Sequence, residues 1–194
     1  MLRIGVLSIQ GSVSEHLAKL SELKGVKPVR VRDEKSLSEI DGLIIPGGES
    51  TVIGRLLNEF NLMQPIRKRI ERGMPVWGTC AGMILLSGEV ENEEPWIGAM
   101  DIVVRRNAFG RQTESFRAME MVPAVYGSPM ELVYIRAPII VRAGDGVEVL
   151  LMTDYGITAA RQGRMLVTSF HPELTTGNAF HYYFVSLVRE CMES

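Results

Sequence analysis

Apolar residues along this chain come in short bursts, separated by stretches in which they recur every three or four positions. Leu2 to Ile9 is a β-rich run broken by Gln10-Gly11. Ser12-Val13-Ser14-Glu15 then has the Ser-x-x-Glu form of a capping box and predicts a helix to about Lys24, stopped by Gly25. Lys27 to Val31 predicts a second strand and Gly42-Leu43-Ile44-Ile45-Pro46 a third, whose apolar residues do not alternate and so should be buried on both faces. Ile53, Leu56, Leu57 and Phe60 recur at helical spacing, as do Met63, Ile66 and Ile70 ahead of Gly73. Pro75-Val76-Trp77 reads as a strand and Ala81 to Leu86 as the helix after it. Such alternation is the pattern of βα units around a parallel sheet.

Beyond Glu89 the texture changes. Glu91-Asn92-Glu93-Glu94-Pro95 reads as an acidic, solvated turn. Ile102 to Val104, Leu132 to Ile135, Val147 to Leu151, Ile157 to Arg161 and Met165 to Thr168 are strand-like and closely spaced, which predicts antiparallel additions to the sheet. Phe180, Tyr183, Phe184, Leu187 and Val188 form the stripe of a last helix, with Cys191 continuing it as core filler. No repeat, linker or low-complexity tract divides the chain, so residues 1–194 should form a single three-layer α/β domain, a central mostly parallel sheet flanked by helices.

Composition narrows the function classes. With 46% hydrophobic residues among 194, the chain can bury a substantial core without metal or disulfide help. A net charge of -2 and the lack of any basic block argue against a nucleic-acid track. The N-terminus enters a strand at once, and no apolar run approaches a membrane span, so a cytoplasmic protein with no membrane partner is expected. Two cysteines in different settings fit a reducing compartment, and the Cys and His spacings match no metal site.

Chemistry enters with Val76-Trp77-Gly78-Thr79-Cys80-Ala81-Gly82. A strand that turns abruptly into a helix holds a nucleophile in an exposed corner, and small neighbours leave room for the turn. A cysteine there also feels the partial positive charge of the helix N-terminus, which favours thiolate. Free cysteine is equally often a buried apolar filler, so the string alone fits either reading. A second signal is the strand Met165 to Phe170, which delivers His171-Pro172-Glu173 into a turn stiffened by the proline. Thiol chemistry needs a base and a group to orient it. Of the three histidines His171 alone has that setting; His16 and His181 read as helix-surface or partly buried residues. Pro46-Gly47-Gly48-Glu49-Ser50, after the third strand, offers main-chain N–H groups to an anion or oxyanion, or simply caps the next helix.

These segments together resemble the class I glutamine amidotransferases and, within them, the glutaminase subunits of pyridoxal 5'-phosphate synthase. The resemblance is carried by Gly5-Val6-Leu7 through Gln10-Gly11, Leu43 to Thr51, Gly78 to Gly82, Arg106-Asn107-Ala108-Phe109-Gly110-Arg111-Gln112, Phe116, Ile135-Arg136-Ala137-Pro138 and Phe170 to Thr175. It implies a flavodoxin-like fold and a Cys-His-Glu triad, in which Cys80 attacks the glutamine side-chain amide, His171 exchanges protons and Glu173 orients it. It further implies oxyanion donors at Gly48 and Ala81 with Gln10 nearby, and L-glutamine bound by Gly48, Glu49, Ser50, Arg106, Ile135 and Arg136. No cofactor is implied. The implied partner is a separate synthase subunit that receives the ammonia in a hetero-oligomer making pyridoxal 5'-phosphate, vitamin B6. Rival readings are a glutaminase of another pathway such as histidine biosynthesis, a γ-glutamyl hydrolase or cysteine peptidase on the same fold, and a non-catalytic subunit. Ser12 and Ser14 stand where the family often has Ala and Arg, and Thr176-Gly177-Asn178-Ala179 lacks its usual charges; both departures are expected to lie outside the chemistry.

Overall fold

Strand β1 (Leu2–Leu7) leads into helix α1 (Val13–Ser21), β2 (Val26–Val31) into α2 (Glu34–Ser38), and β3 (Gly42–Ile45) into α3 (Ser50–Glu59) and α4 (Met63–Glu71). Strand β4 (Val76–Thr79) turns into α5 (Ala81–Leu86) across one residue. Then follow β5 (Ser87–Val90), β6 (Met100–Arg105), β7 (Ser115–Val122), β8 (Tyr126–Ile135), β9 (Ile139–Ala143), β10 (Glu148–Thr153), β11 (Gly156–Gln162) and β12 (Met165–Thr168). A 3-10 turn at Pro172–Leu174 and the long helix α6 (Ala179–Glu193) complete the computed structural model, which describes residues 1–108 and 115–193.

Among the described residues one ten-stranded sheet runs in the order β2-β1-β3-β4-β12-β11-β9-β6-β5, with β10 paired to β11. Strands β2, β1, β3, β4 and β12 are mutually parallel, whereas β11, β9 and β6 add antiparallel neighbours as the closely spaced runs predicted. Alternate side chains of the parallel strands enter opposite layers. Leu43, Ile45, Val76 and Val167 pack with Leu37, Ile53, Leu57, Met63, Ile66 and Ile70 of helices α2 to α4. Ile44, Trp77 and Leu166 pack with Val13 and Leu20 of α1 and Phe180, Phe184 and Val188 of α6. This is the three-layer α/β arrangement expected, with the two-stranded β7–β8 sheet packed on the α1/α6 side through Val122, Leu132 and Tyr134.

Several local expectations are corrected. Ser12 is the N-cap of α1 but makes no side-chain cap bond, because its hydroxyl is bonded to Glu173 161 residues away. The capping box lies instead at α2, where Asp33 and Ser36 bond reciprocally, a five-residue helix too short to show a period. Phe60 lies one residue past α3 and is exposed rather than in the buried stripe. Cys191 is only half-buried, near the end of α6. Glu91 of the acidic turn is paired bidentately with Arg105, and Glu93 with Arg106.

Candidate active site

The carboxyl ends of β3, β4 and β12 are adjacent, with Ile45 opposite Gly78 and Thr79 opposite Thr168. The three segments leaving them are the Gly-Gly loop, the cysteine elbow and the His-Pro-Glu turn, so one edge of the parallel sheet gathers all three signals. The elbow is tight. Cys80 caps α5 with φ 47° and ψ -101°, and its N–H donates to the Thr168 carbonyl at 2.7 Å. A Cβ at Gly78 would stand 2.4 Å from the Gly82 carbonyl, and one at Gly82 2.2 Å from the Ile45 carbonyl oxygen, so strand and helix meet this closely only through glycines.

Cys80 and His171 are brought together. A Cβ built on Gly47 would lie 2.4 Å from His171 Cε1 and 3.4 Å from Cys80 Cβ, so a single point on the loop touches both side chains. The His171 N–H donates to the Val133 carbonyl at 2.8 Å, tying the turn to β8. Its Nδ1 lies 2.7 Å from Glu173 Oε1, which also accepts a 2.6 Å bond from the Ser12 hydroxyl. All three residues Cys80, His171 and Glu173 are buried. Burial disfavours the charged imidazole of His171, but Cys80 and Glu173 outweigh it and hold the group above the ordinary histidine value. Burial likewise works against the Glu173 carboxylate, yet the His16 and His171 imidazoles and the Ser12 hydroxyl keep it well below the usual carboxylate range.

His16 and His181 are neither on helix surfaces nor partly buried, the two settings expected from the sequence. Both are fully buried, facing the Trp77 ring at centroid distances of 5.7 and 5.0 Å. His16 Nδ1 is 3.0 Å from His181 Nε2, and His16 Nε2 is 3.3 Å from Thr79 Oγ1 and 3.4 Å from Glu173 Oε2. Burial pushes both imidazoles below the ordinary value. The signal was present in α1, where Val13, His16 and Leu20 share one face, and a histidine on an otherwise apolar stripe must point inward. Ser12, set aside as a departure outside the chemistry, is in fact hydrogen-bonded to the Glu173 carboxylate that pairs with His171, whereas Ser14 is exposed.

The Gly-Gly loop is pinned at several atoms. Gly47 N–H donates to Thr79 Oγ1 at 2.9 Å, Ser12 N–H to the Gly47 carbonyl at 3.0 Å and Glu49 N–H to Gln10 Oε1 at 3.1 Å. Gln10 lies against Gly48, where a Cβ would approach its Oε1 to 2.2 Å. Ala81 opens α5, so its N–H is among those a helix leaves without an internal acceptor. Glu49 pairs with Arg106 at 2.9 Å, and Arg106 also meets Glu93 at 2.8 Å. Ser50 Oγ is buried without a hydrogen-bond partner among the described residues. Cys80 Sγ stands 3.9 Å from the Ile135 carbonyl, and Arg136, exposed beside it, has φ 43°. Ala108 N–H bonds the Ala137 carbonyl at 3.2 Å, joining the Arg106 segment to the Ile135-Arg136 segment. Phe109 to Gln112 of that segment lie outside the described residues.

A sulfur beside an imidazole with an oriented carboxylate supplies the nucleophile and the base that acyl transfer needs. Residues 6–190 match the model of the SNO glutamine amidotransferase family. The chain belongs to that family. Relatives of this amidotransferase family include "Pyridoxal 5'-phosphate synthase subunit PdxT" of Clostridium acetobutylicum, 52% identical over 96% of this chain and 100% of the relative. The protein of the same name from Carboxydothermus hydrogenoformans is 53% identical over 96% of this chain and 98% of the relative. The crystal structure of a glutamine amidotransferase superposes with a TM-score of 0.90 at 42% identity, covering 96% of this chain and 98% of the other. Among the described residues, no helix of this amidotransferase is long and apolar enough to cross a membrane.

Proposed function

We propose that this chain hydrolyses L-glutamine to L-glutamate and ammonia as the glutaminase subunit of a cytoplasmic pyridoxal 5'-phosphate synthase, acting in a hetero-oligomer with a separate synthase subunit. The observation that carries the reading is the 2.7 Å His171–Glu173 pair beside the Cys80 elbow, in a chain about half identical to subunits of that synthase along nearly its whole length. That full-length likeness favours this pathway over histidine biosynthesis or a peptidase.

In the proposed mechanism Cys80 Sγ attacks the side-chain amide carbon of glutamine. The thiol proton passes to His171, whose charged form Glu173 stabilises, and then to the departing amide nitrogen, which leaves as ammonia. His171 next takes a proton from water, which adds to the γ-glutamyl thioester; the C–S bond breaks, glutamate is released and the proton returns to sulfur. Main-chain N–H groups of Gly48 and Ala81, with Gln10 alongside, stabilise the oxyanion of each tetrahedral intermediate. Glu49 and Arg106 supply one negative and one positive group for the ammonium and carboxylate of the amino acid, while Ser50, Ile135 and Arg136 complete its pocket.

The test is glutamine hydrolysis by the purified chain with and without the synthase subunit, alongside labelling of Cys80 by an electrophilic glutamine analogue. Hydrolysis that rises on adding the synthase, with label on Cys80, is expected. A chain that neither hydrolyses glutamine nor takes up the analogue in the complex rules the reading out.

A further inference from the structure

The buried imidazoles of His16 and His181 have no place in the steps above, although one of them lies between the triad carboxylate and the glycine loop. Their hydrogen positions follow from their neighbours. His16 Nε2 lies 3.4 Å from Glu173 Oε2, which has no hydrogen-bond partner among the described residues; a bare nitrogen there would set one lone pair against a carboxylate, so electrostatics puts the hydrogen on Nε2. Thr79 Oγ1 at 3.3 Å accepts it at hydrogen-bond distance, with the carboxylate attracting it from the other side. His16 Nδ1 is then a bare acceptor, and His181 Nε2 at 3.0 Å must be its donor. This leaves His181 Nδ1 as the unprotonated nitrogen; that buried atom has no hydrogen-bond partner among the described residues. Burial keeps both rings neutral, as this assignment requires.

The chain of contacts continues past Thr79. The same Oγ1 accepts the Gly47 N–H at 2.9 Å, and the Gly47 carbonyl accepts the Ser12 N–H at 3.0 Å. Ser12 in turn donates its hydroxyl to Glu173 Oε1 at 2.6 Å. His16 thus closes a ring of contacts through Glu173, Ser12, Gly47 and Thr79, in which the start of α1 meets three segments distant from it in sequence. We propose that His16 is a positioning residue of the glutaminase site, whose Nε2–H is hydrogen-bonded to Thr79, and through it sets the Gly47 peptide beside Cys80, while its positive edge steadies the Glu173 carboxylate by charge attraction alone. The inference rests on the glutaminase reading above. His16 touches neither glutamine nor sulfur in this assignment, so its effect falls on turnover rather than on substrate affinity.

The experiment uses the chain assembled with its synthase subunit. His16→Leu should lower kcat by about 10- to 100-fold, the usual range for a group that orients a reacting side chain, with KM changed less than about twofold. His16→Gln, which restores one donor and one acceptor, should recover most of the loss. In a Glu173→Gln background the added loss should fall short of the product of the single losses by at least about fivefold, because the carboxylate that His16 steadies is gone. Losses that simply multiply, or a folded His16→Leu protein with unchanged kcat, overturn the proposal. Nitrogen NMR of the three histidines in the unaltered protein gives a test that needs no variant: neutral rings with Nε2–H on both His16 and His181 are expected near neutral pH. An Nδ1–H tautomer at His16 overturns the assignment. An unaltered complex without glutaminase activity defeats the functional reading instead, whereas normal activity with an indifferent His16 defeats only this inference.

Discussion

Cys80 occupies a backbone conformation that L-residues seldom adopt, and the protein holds it there with a main-chain bond to Thr168 and glycines on either side. Replacing the sulfur should therefore remove the chemistry without disturbing the corner. Cys80→Ala is expected to lose glutamine hydrolysis by several orders of magnitude while keeping its circular dichroism and its binding to the synthase; appreciable residual turnover would contradict the nucleophile assignment. Supply of external ammonia to the complex should bypass the defect. Ser12→Ala removes one of two donors from a buried carboxylate oxygen, so a loss of roughly 1.5–3 kcal/mol in urea unfolding is expected. A stability equal to that of the unaltered protein would mean that the 2.6 Å bond contributes nothing net.

At the scale of elements, the decisive contact is between α5 and the parallel strands. The helix can start one residue after β4 because Gly78 and Gly82 bring backbone against backbone. A methyl group at Gly82 would meet the Ile45 carbonyl, and a strand carbonyl in the middle of a sheet cannot step aside as a flexible side chain can. Gly82→Ala should destabilise the fold by about 1–3 kcal/mol and displace the elbow, so that reactivity of Cys80 toward the glutamine analogue drops too. Unchanged stability and labelling would show that the elbow tolerates a wider crossing. Gly47→Ala tests the neighbouring loop differently: its methyl would strike His171 rather than a core atom, so activity should be lost with little change in stability.

For the whole molecule, the buried histidines make stability depend on pH in a definite direction. An unfolded histidine titrates near 6.5, whereas folded His16 and His181 resist protonation to lower pH. As pH falls below 6.5 the unfolded chain binds protons that the folded chain refuses, so each of these residues lowers stability by up to about 1.4 kcal/mol per pH unit until its own depressed folded value is reached. His171 acts in the opposite sense: its raised value adds stability that is complete below 6.5 and fades as pH climbs through that raised value. Glu173, with a lowered value, adds stability above about 4.5 that is lost as pH falls toward its folded value. Urea midpoints should accordingly decline as pH falls below about 6.5, and His16→Gln should flatten that decline. A decline of the same steepness in the variant would remove His16 as its source.

Much of this protein could be read from residue order because the forces concerned are local. Apolar runs and helical periods marked β1, β3, β4, α3 and α4, while Cys80 and His171-Pro172-Glu173 stood out as candidate chemistry from their own neighbours. Short elements such as α2, β5 and β9 left no comparable period, since roughly four or five residues span barely one turn or one pair of side chains. What residue order could not supply was adjacency across long separations. Ser12 had the local chemistry of a cap and His16 that of a surface or partly buried helix residue, yet packing of α1 on the strand ends turned both toward a carboxylate about 160 residues later. A hydroxyl or imidazole takes whichever partner the fold brings within three ångströms or so, and only three-dimensional packing decides which one that is.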